Sequence, residues 1–211
     1  MNEYESWEIG GHWLEYYDTS HIYLVDGLVV PSITTIIKGK FREKYDGISK
    51  ATLNHAADLG TAVHEAIERF CKDGTESELP ELRNFKFLKN QYQFEVIDNE
   101  VPVILFQDDK PISAGRLDMV IKMAIADEKG NSYPPVIGLA DIKRTSKLDK
   151  EYLAYQLNLY RIAYWQSYGV KARFLKGIHL REDTRKFVNI PINEDLAWDI
   201  VTHWRKEHGD I

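Results

Sequence analysis

Apolar residues recur with two different periods along this chain, and the changes of period mark its elements. Ile22-Tyr23-Leu24-Val25 and Leu28-Val29-Val30 are short β-rich runs joined at Asp26-Gly27, a dipeptide that accepts the positive φ of a tight turn, so His21 to Val30 predicts a hairpin. Pro31-Ser32 predicts a short helix or turn through Ile33 to Ile37, with Ser32 as its N-cap. Asp46 to Leu59 has helical spacing and is expected to stop at Gly60, because glycine is the favoured residue just past a helix end. A second helix is expected from Thr61 to Lys72, packing through Ala62, Ala66, Ile67 and Phe70. Pro80 suits a first helical position and opens an amphipathic stretch through Leu82, Phe85, Leu88 and Tyr92 that continues into Phe94-Glu95-Val96.

The period then shortens. Val101 to Phe106, Ala114 to Met123 and Pro135 to Ile142 are β-rich and separated by turn residues, which predicts three neighbouring strands. Tyr152 to Tyr168 returns to helical spacing, with Tyr152, Tyr155, Gln156, Leu159, Tyr160 and Ala163 on one side. Strands at Ala172 to Leu180 and Phe187 to Ile190 and a helix from Glu194 to Lys206 follow. At 211 residues with no break in composition, one domain over 1–211 is expected.

Composition mainly removes possibilities. An apolar share of 44% and a charged share of 28% are those of a folded globular protein, not a disordered one. No apolar run is long enough to cross a bilayer, and the start Met1-Asn2-Glu3-Tyr4-Glu5-Ser6-Trp7 lacks the basic and apolar regions of a signal peptide. A cytoplasmic chain with no membrane partner is expected. The single cysteine, Cys71, can form neither an internal disulfide nor the four-thiolate cradle of an iron–sulfur cluster, and it is expected to pack as a small apolar residue. A net charge of −6 is unusual for a protein that holds a polyphosphate, yet carboxylates that gather cations begin negative and the ions reverse the local sign. Basic clusters stand at Lys38 to Lys44, Lys143 to Lys147 and Arg181 to Lys186.

The candidate chemistry lies near the strands. Asp141 and Lys143 are two residues apart on an extended segment, so they share a face and set a metal ligand beside a proton donor or charge stabiliser. Asp118, at the end of the preceding strand, is the carboxylate best placed to share a metal with Asp141. His64 and Glu68 lie one helical turn apart, as do Gln156 and Tyr160. Each has a plain alternative: an exposed ion pair for the strand residues, a surface pair or a core histidine for His64, and packing for Tyr160. Trp7, Trp13, Trp165, Trp198 and Trp204 could stack on unpaired bases, but they are unclustered and are expected to be mostly structural.

Taken in order, Gly60-Thr61-x-x-His64, Glu100, Gly115-x-x-Asp118, Asp141-x-Lys143 and Gln156-x-x-x-Tyr160 resemble the RecB-like, phage-type exonuclease branch of the PD-(D/E)xK nuclease superfamily. The resemblance spans about Gly60 to Tyr160, and His21 to Ile37 is similar to the opening segment of phage-type members. It implies an α/β fold with a mixed central sheet flanked by helices, a restriction-endonuclease-like core over about 60–190 preceded by an N-terminal hairpin and helix over 12–59. It also implies that His64, Asp118 and Asp141 hold Mg²⁺ or Mn²⁺, that Lys143 is the catalytic lysine, and that Glu100 is the acidic residue preceding the metal aspartate. Gln156 and Tyr160 would shape the site and contact DNA, with Arg144 and Lys147 of the basic cluster beside them and Glu68 supporting the ligands. The expected activity is metal-dependent exonuclease cleavage of DNA ends in recombination or repair, with a recombinase, an annealing protein or a second copy of the chain as further partner. The alternatives are a structure-specific or restriction-type endonuclease, or a catalytically silent DNA-binding module on the same fold. Asp141 stands where many relatives carry glutamate, and both residues bind metal.

Overall fold

The computed structural model describes residues 4–41, 47, 49–125 and 133–209. The chain opens with an antiparallel meander of β1 (Tyr4–Ile9), β2 (His12–Tyr17), β3 (Ile22–Val25) and β4 (Leu28–Val30). Its first hairpin turns at Gly10-Gly11, with φ of +59° and +85°, and its last at Asp26-Gly27, with φ of +50° and +80°. Two successive left-handed residues are what a two-residue hairpin requires. The Asp26 carboxylate accepts from the Trp13 backbone at 2.8 Å, which ties that turn to the neighbouring strand. The last hairpin is the expected one. The first was not expected, although Gly-Gly between β-rich runs is the same kind of signal.

Helix α1 (Ile33–Lys40) is capped as expected, with Ser32 Oγ accepting from the Thr35 N–H at 3.0 Å. Helix α2 corrects the sequence reading, because Lys50–Asp73 is one 24-residue helix that passes through Gly60. A glycine inside a helix costs about 1 kcal/mol relative to alanine. Ending the helix there would instead strand the free N–H and C=O groups of two new termini. The helix stops at Gly74, which takes φ +78°. Asp46 and Ile48 of the expected helix, and Arg42 to Lys44 of the first basic cluster, lie outside the described residues. Helix α3 (Pro80–Tyr92) has Pro80 in its first turn and closes at Gln93, φ +50°, so Phe94-Glu95-Val96 leads into a strand and does not extend the helix.

The central sheet has the order β5 (Glu95–Gln107), β6 (Lys110–Met123), β7 (Val136–Lys143), β8 (Leu175–Leu180) and β9 (Arg185–Ile190). Only β7 and β8 run parallel, and helix α4 (Lys150–Tyr168) makes the crossover that a parallel pair requires. The fold is therefore mixed α/β, with α1, α4 and the last helix α5 (Glu194–His208) covering one face and α2 and α3 the other. Cys71 packs at the edge of the second layer, and burial lifts its thiol to about 11. The meander closes over β5 and β6 through Leu14 and Val25 against Ile104 and Ala114.

Strand β7, which carries Asp141 and Lys143, is buried on both faces and owes its fit partly to glycine. A Cβ on Gly138 would fall within the Phe174 ring. That ring is itself wedged in the α2–α3 layer and has little room to yield. Gly138→Ala is expected to lower unfolding free energy by about 1–3 kcal/mol, the usual cost of overpacking, as read from urea midpoints.

Candidate active site

The site begins with an irregularity in β5 and β6. Val101 faces Leu117 and Asn99 faces Met119, while Glu100 between them takes φ +51°. A left-handed glutamate in a strand costs on the order of 1–2 kcal/mol and breaks the alternation of side chains. On β6 the effect is visible directly: Leu117 and Val120, three residues apart, both enter the layer under α4, whereas Met119 and Ile121 enter the α2–α3 layer. Asp118 sits at the break. The kink carries the Glu100 and Asp118 carboxylates to the same imidazole.

That imidazole is His64, half-buried on α2. Its Nδ1 lies 3.6 Å from Glu100 Oε1 and its Nε2 lies 3.7 Å from Asp118 Oδ2. His64 Nε2 also lies 3.1 Å from the Ile142 carbonyl oxygen, and the Ile142 N–H donates to Asp118 Oδ2 at 2.7 Å. Strand β7 thus holds both side chains through one residue's backbone. Each of His64, Glu100 and Asp118 offers a ligand atom within 4.8 Å of the others.

Burial works against a charge on His64, but Asp118 and Glu100 outweigh it and raise the imidazole to about 9. With protons on both nitrogens, Nε2 donates to the Ile142 carbonyl. Because this pKa lies above the ordinary 6.5, the stabilisation it brings is complete below pH 6.5 and is lost as pH rises through about 9. The EDTA-treated protein is expected to lose on the order of 2–3 kcal/mol between pH 6.5 and 9.5, and His64→Gln to flatten that slope. Urea titrations at the two pH values check it.

Asp141 and Lys143 stand beside this group and not within it. Leu139 packs under α4 and Ala140 and Ile142 pack toward α2 and α3, so strand alternation puts Asp141 and Lys143 on the α4 side of β7. Asp141 nonetheless lies within electrostatic reach of both Asp118 and His64. Glu100, expected only as the acid preceding the metal aspartate, joins His64 and Asp118 in the cluster. Asp141 is buried, with Oδ2 at 2.5 Å from Lys143 Nζ in a close ion pair. Burial and the nearby Asp118 push the Asp141 carboxyl up, against the pull of Lys143. Burial disfavours the Lys143 charge, but Asp141 and Asp118 hold its pKa above the ordinary value. Asp141 and Lys143 share a face, as their spacing predicts.

The remaining expected residues divide. Tyr160 is 3% exposed, packed in the layer under α4, and its hydroxyl oxygen lies 3.1 Å from where a Cβ on Gly115 would stand. The glycine of Gly115-x-x-Asp118 makes room for this ring, and packing replaces the expected DNA contact of Tyr160. Gln156 is also buried, with its Oε1 unpartnered, and lines a cavity of about 240 Å³ shared with Lys143, Thr145 and Tyr152. Arg144 Nε donates to the buried Glu81 at 2.8 Å. Lys147 is exposed on the loop after β7. Glu68 lines the cleft with His64, but its carboxylate is 2.6 Å from Lys72.

A cleft of about 900 Å³ opens beside the cluster, lined by His64, Glu100, Trp7, Arg116 and Tyr168 among others. Arg116 was missed in the sequence although it lies inside the Gly115-x-x-Asp118 motif, and so was the β1 residue Glu5, 3.0 Å from its Nη1.

No protein-family model and no curated protein matches the chain. One solved structure, described as the crystal structure of SSO0001, is similar to it at 14% identity and a TM-score of 0.46, over 85% of this chain and 76% of that one.

Proposed function

We propose that this chain is a Mg²⁺- or Mn²⁺-dependent deoxyribonuclease that hydrolyses phosphodiester bonds at DNA ends. The observation that carries the reading is the meeting of His64, Glu100 and Asp118 from α2, β5 and β6, fastened by the Ile142 backbone, with the Asp141–Lys143 pair next to them. The donor set fits such an ion. Two carboxylates, one imidazole and a peptide carbonyl within reach are the oxygen-rich ligands that Mg²⁺ and Mn²⁺ prefer.

A bound ion of this kind would acidify a water and draw charge from a phosphate oxygen. The chain's own groups do the rest. Asp118 is held in place by the Ile142 N–H, so its free oxygen points without loss of side-chain entropy on binding. His64 must give up the proton it shares with the Ile142 carbonyl before it can act as a ligand, so ion binding releases a proton. Lys143 offers a compact positive charge where negative charge builds on the phosphate, and Asp141 keeps that ammonium charged and aimed.

Action on DNA ends in recombination or repair is supported by the order of the motifs. Incubation of linear and closed circular duplex with Mg²⁺, Mn²⁺ or EDTA tests it. Loss of linear DNA alone, abolished by EDTA, is the expected result. Cutting of circles would move the reading to an endonuclease, and metal-dependent binding without cutting would move it to a silent module. No helix among the described residues is long and apolar enough to cross a membrane, and the proposed setting is the cytoplasm.

A further inference from the structure

We infer that Arg116, held by the N-terminal meander, grips a phosphate of the nucleic-acid substrate on the side of the cluster opposite Lys143. The inference rests on the nuclease reading and adds to it a substrate-binding residue and a role for the meander. Two of the side chains expected on DNA are otherwise engaged, Tyr160 in the core and Arg144 with Glu81. Arg116 is not. It lines the cleft together with His64 and Glu100.

Its setting is that of a prepared guanidinium. The group lies over the Tyr16 ring, 4.8 Å from the centroid, and Nη1 donates to Glu5 Oε1 at 3.0 Å. Tyr23 on β3 lies within electrostatic reach of it. These contacts come from β1, β2 and β3, so the meander fixes the side chain from behind. The Nε–Glu100 Oε2 distance of 3.9 Å is too long for a hydrogen bond. A guanidinium has five N–H donors in a rigid fork, so donors remain for an incoming phosphate, whose two oxygens match that fork. Glu5 is half exposed, and an exposed ion pair is readily exchanged for a stronger anion. Lys143 on β7 and Arg116 on β6 thereby bracket the carboxylate cluster with two cations of different design: a point charge at the Asp141 end and a flat fork at the Glu100 end.

The test is binding of a fluorescent tailed duplex oligonucleotide in Ca²⁺, across a range of salt, by wild type, Arg116→Gln and Arg116→Lys. Mn²⁺ affinity is measured alongside by calorimetry. Arg116→Gln is expected to weaken oligonucleotide binding on the order of 10- to 100-fold and to reduce the salt slope by about 1. Its Mn²⁺ affinity should hold or tighten, since a cation has left the neighbourhood of Glu100. Arg116→Lys should restore the salt slope but not the full affinity, because the charge returns without the fork. If Arg116→Gln does not fold, the lysine variant carries the comparison alone. Unchanged oligonucleotide affinity in these variants would overturn the inference. So would weakened Mn²⁺ binding that accounts for the whole loss, since Arg116 would then be only a prop for Glu100. Wild-type protein that binds the oligonucleotide but never cuts it in Mn²⁺ would end the nuclease reading while the affinity ratio still decides on Arg116. Wild-type protein that does not bind would end both.

Discussion

Lys143→Ala is expected to cut linear duplex DNA more slowly than wild type by a factor on the order of 10² to 10³, with Mn²⁺ affinity unchanged or slightly tighter. That factor is typical of removing one preorganised electrostatic group from a partly desolvated site. Two effects compete on the metal: loss of the cation raises the barrier for the charged phosphate, while it also relieves repulsion of the ion. Only the first acts on turnover. The fold should survive, because the carboxyl left behind is Asp141, whose pKa is already pushed up by burial and by Asp118 and which can take a proton in place of the lost partner. Single-turnover rates in saturating Mn²⁺, with a thermal melt of the same sample, separate chemistry from stability.

Asp118→Asn should have the largest effect, lowering Mn²⁺ affinity by at least on the order of 10²-fold and taking cleavage below detection. Loss of groups that merely support ligands costs 10- to 100-fold, and a ligand should cost more. The amide oxygen can still accept from the Ile142 N–H, so the local fold is retained while the charge is removed. A second readout comes from the same charge. Asp118 is the largest influence raising the His64 pKa against burial, so the imidazole should titrate at a lower pH in the variant. Histidine NMR signals in the metal-free protein would report it.

The sequence revealed those features that depend on neighbours along the chain. The Asp26-Gly27 hairpin, the Ser32 cap, the strands of the central sheet and the helix after Asp149 all arise from short-range turn and capping chemistry or from a sustained period. Gly60 misled because its role depends on tertiary packing: Val63 and Ile67 anchor the continuing helix on the α2–α3 layer, and no local rule records that. Within the site, His64, Glu100, Asp118, Asp141 and Lys143 were all legible as candidates. That Glu100 joins the cluster was not, because it depends on the left-handed backbone at that residue. The packing of Tyr160 and the pairing of Arg144 were hidden for a related reason. Their partners, Gly115 and Glu81, are brought to them only by the fold.

Diffraction from crystals soaked in Mn²⁺, with the ion located by its anomalous signal, tests whether the cluster holds the metal. One peak is expected among His64, Glu100 and Asp118, with ligand atoms at about 2.0–2.6 Å. An ion bound elsewhere in the cleft, or no ion at that cluster at millimolar Mn²⁺, would contradict it.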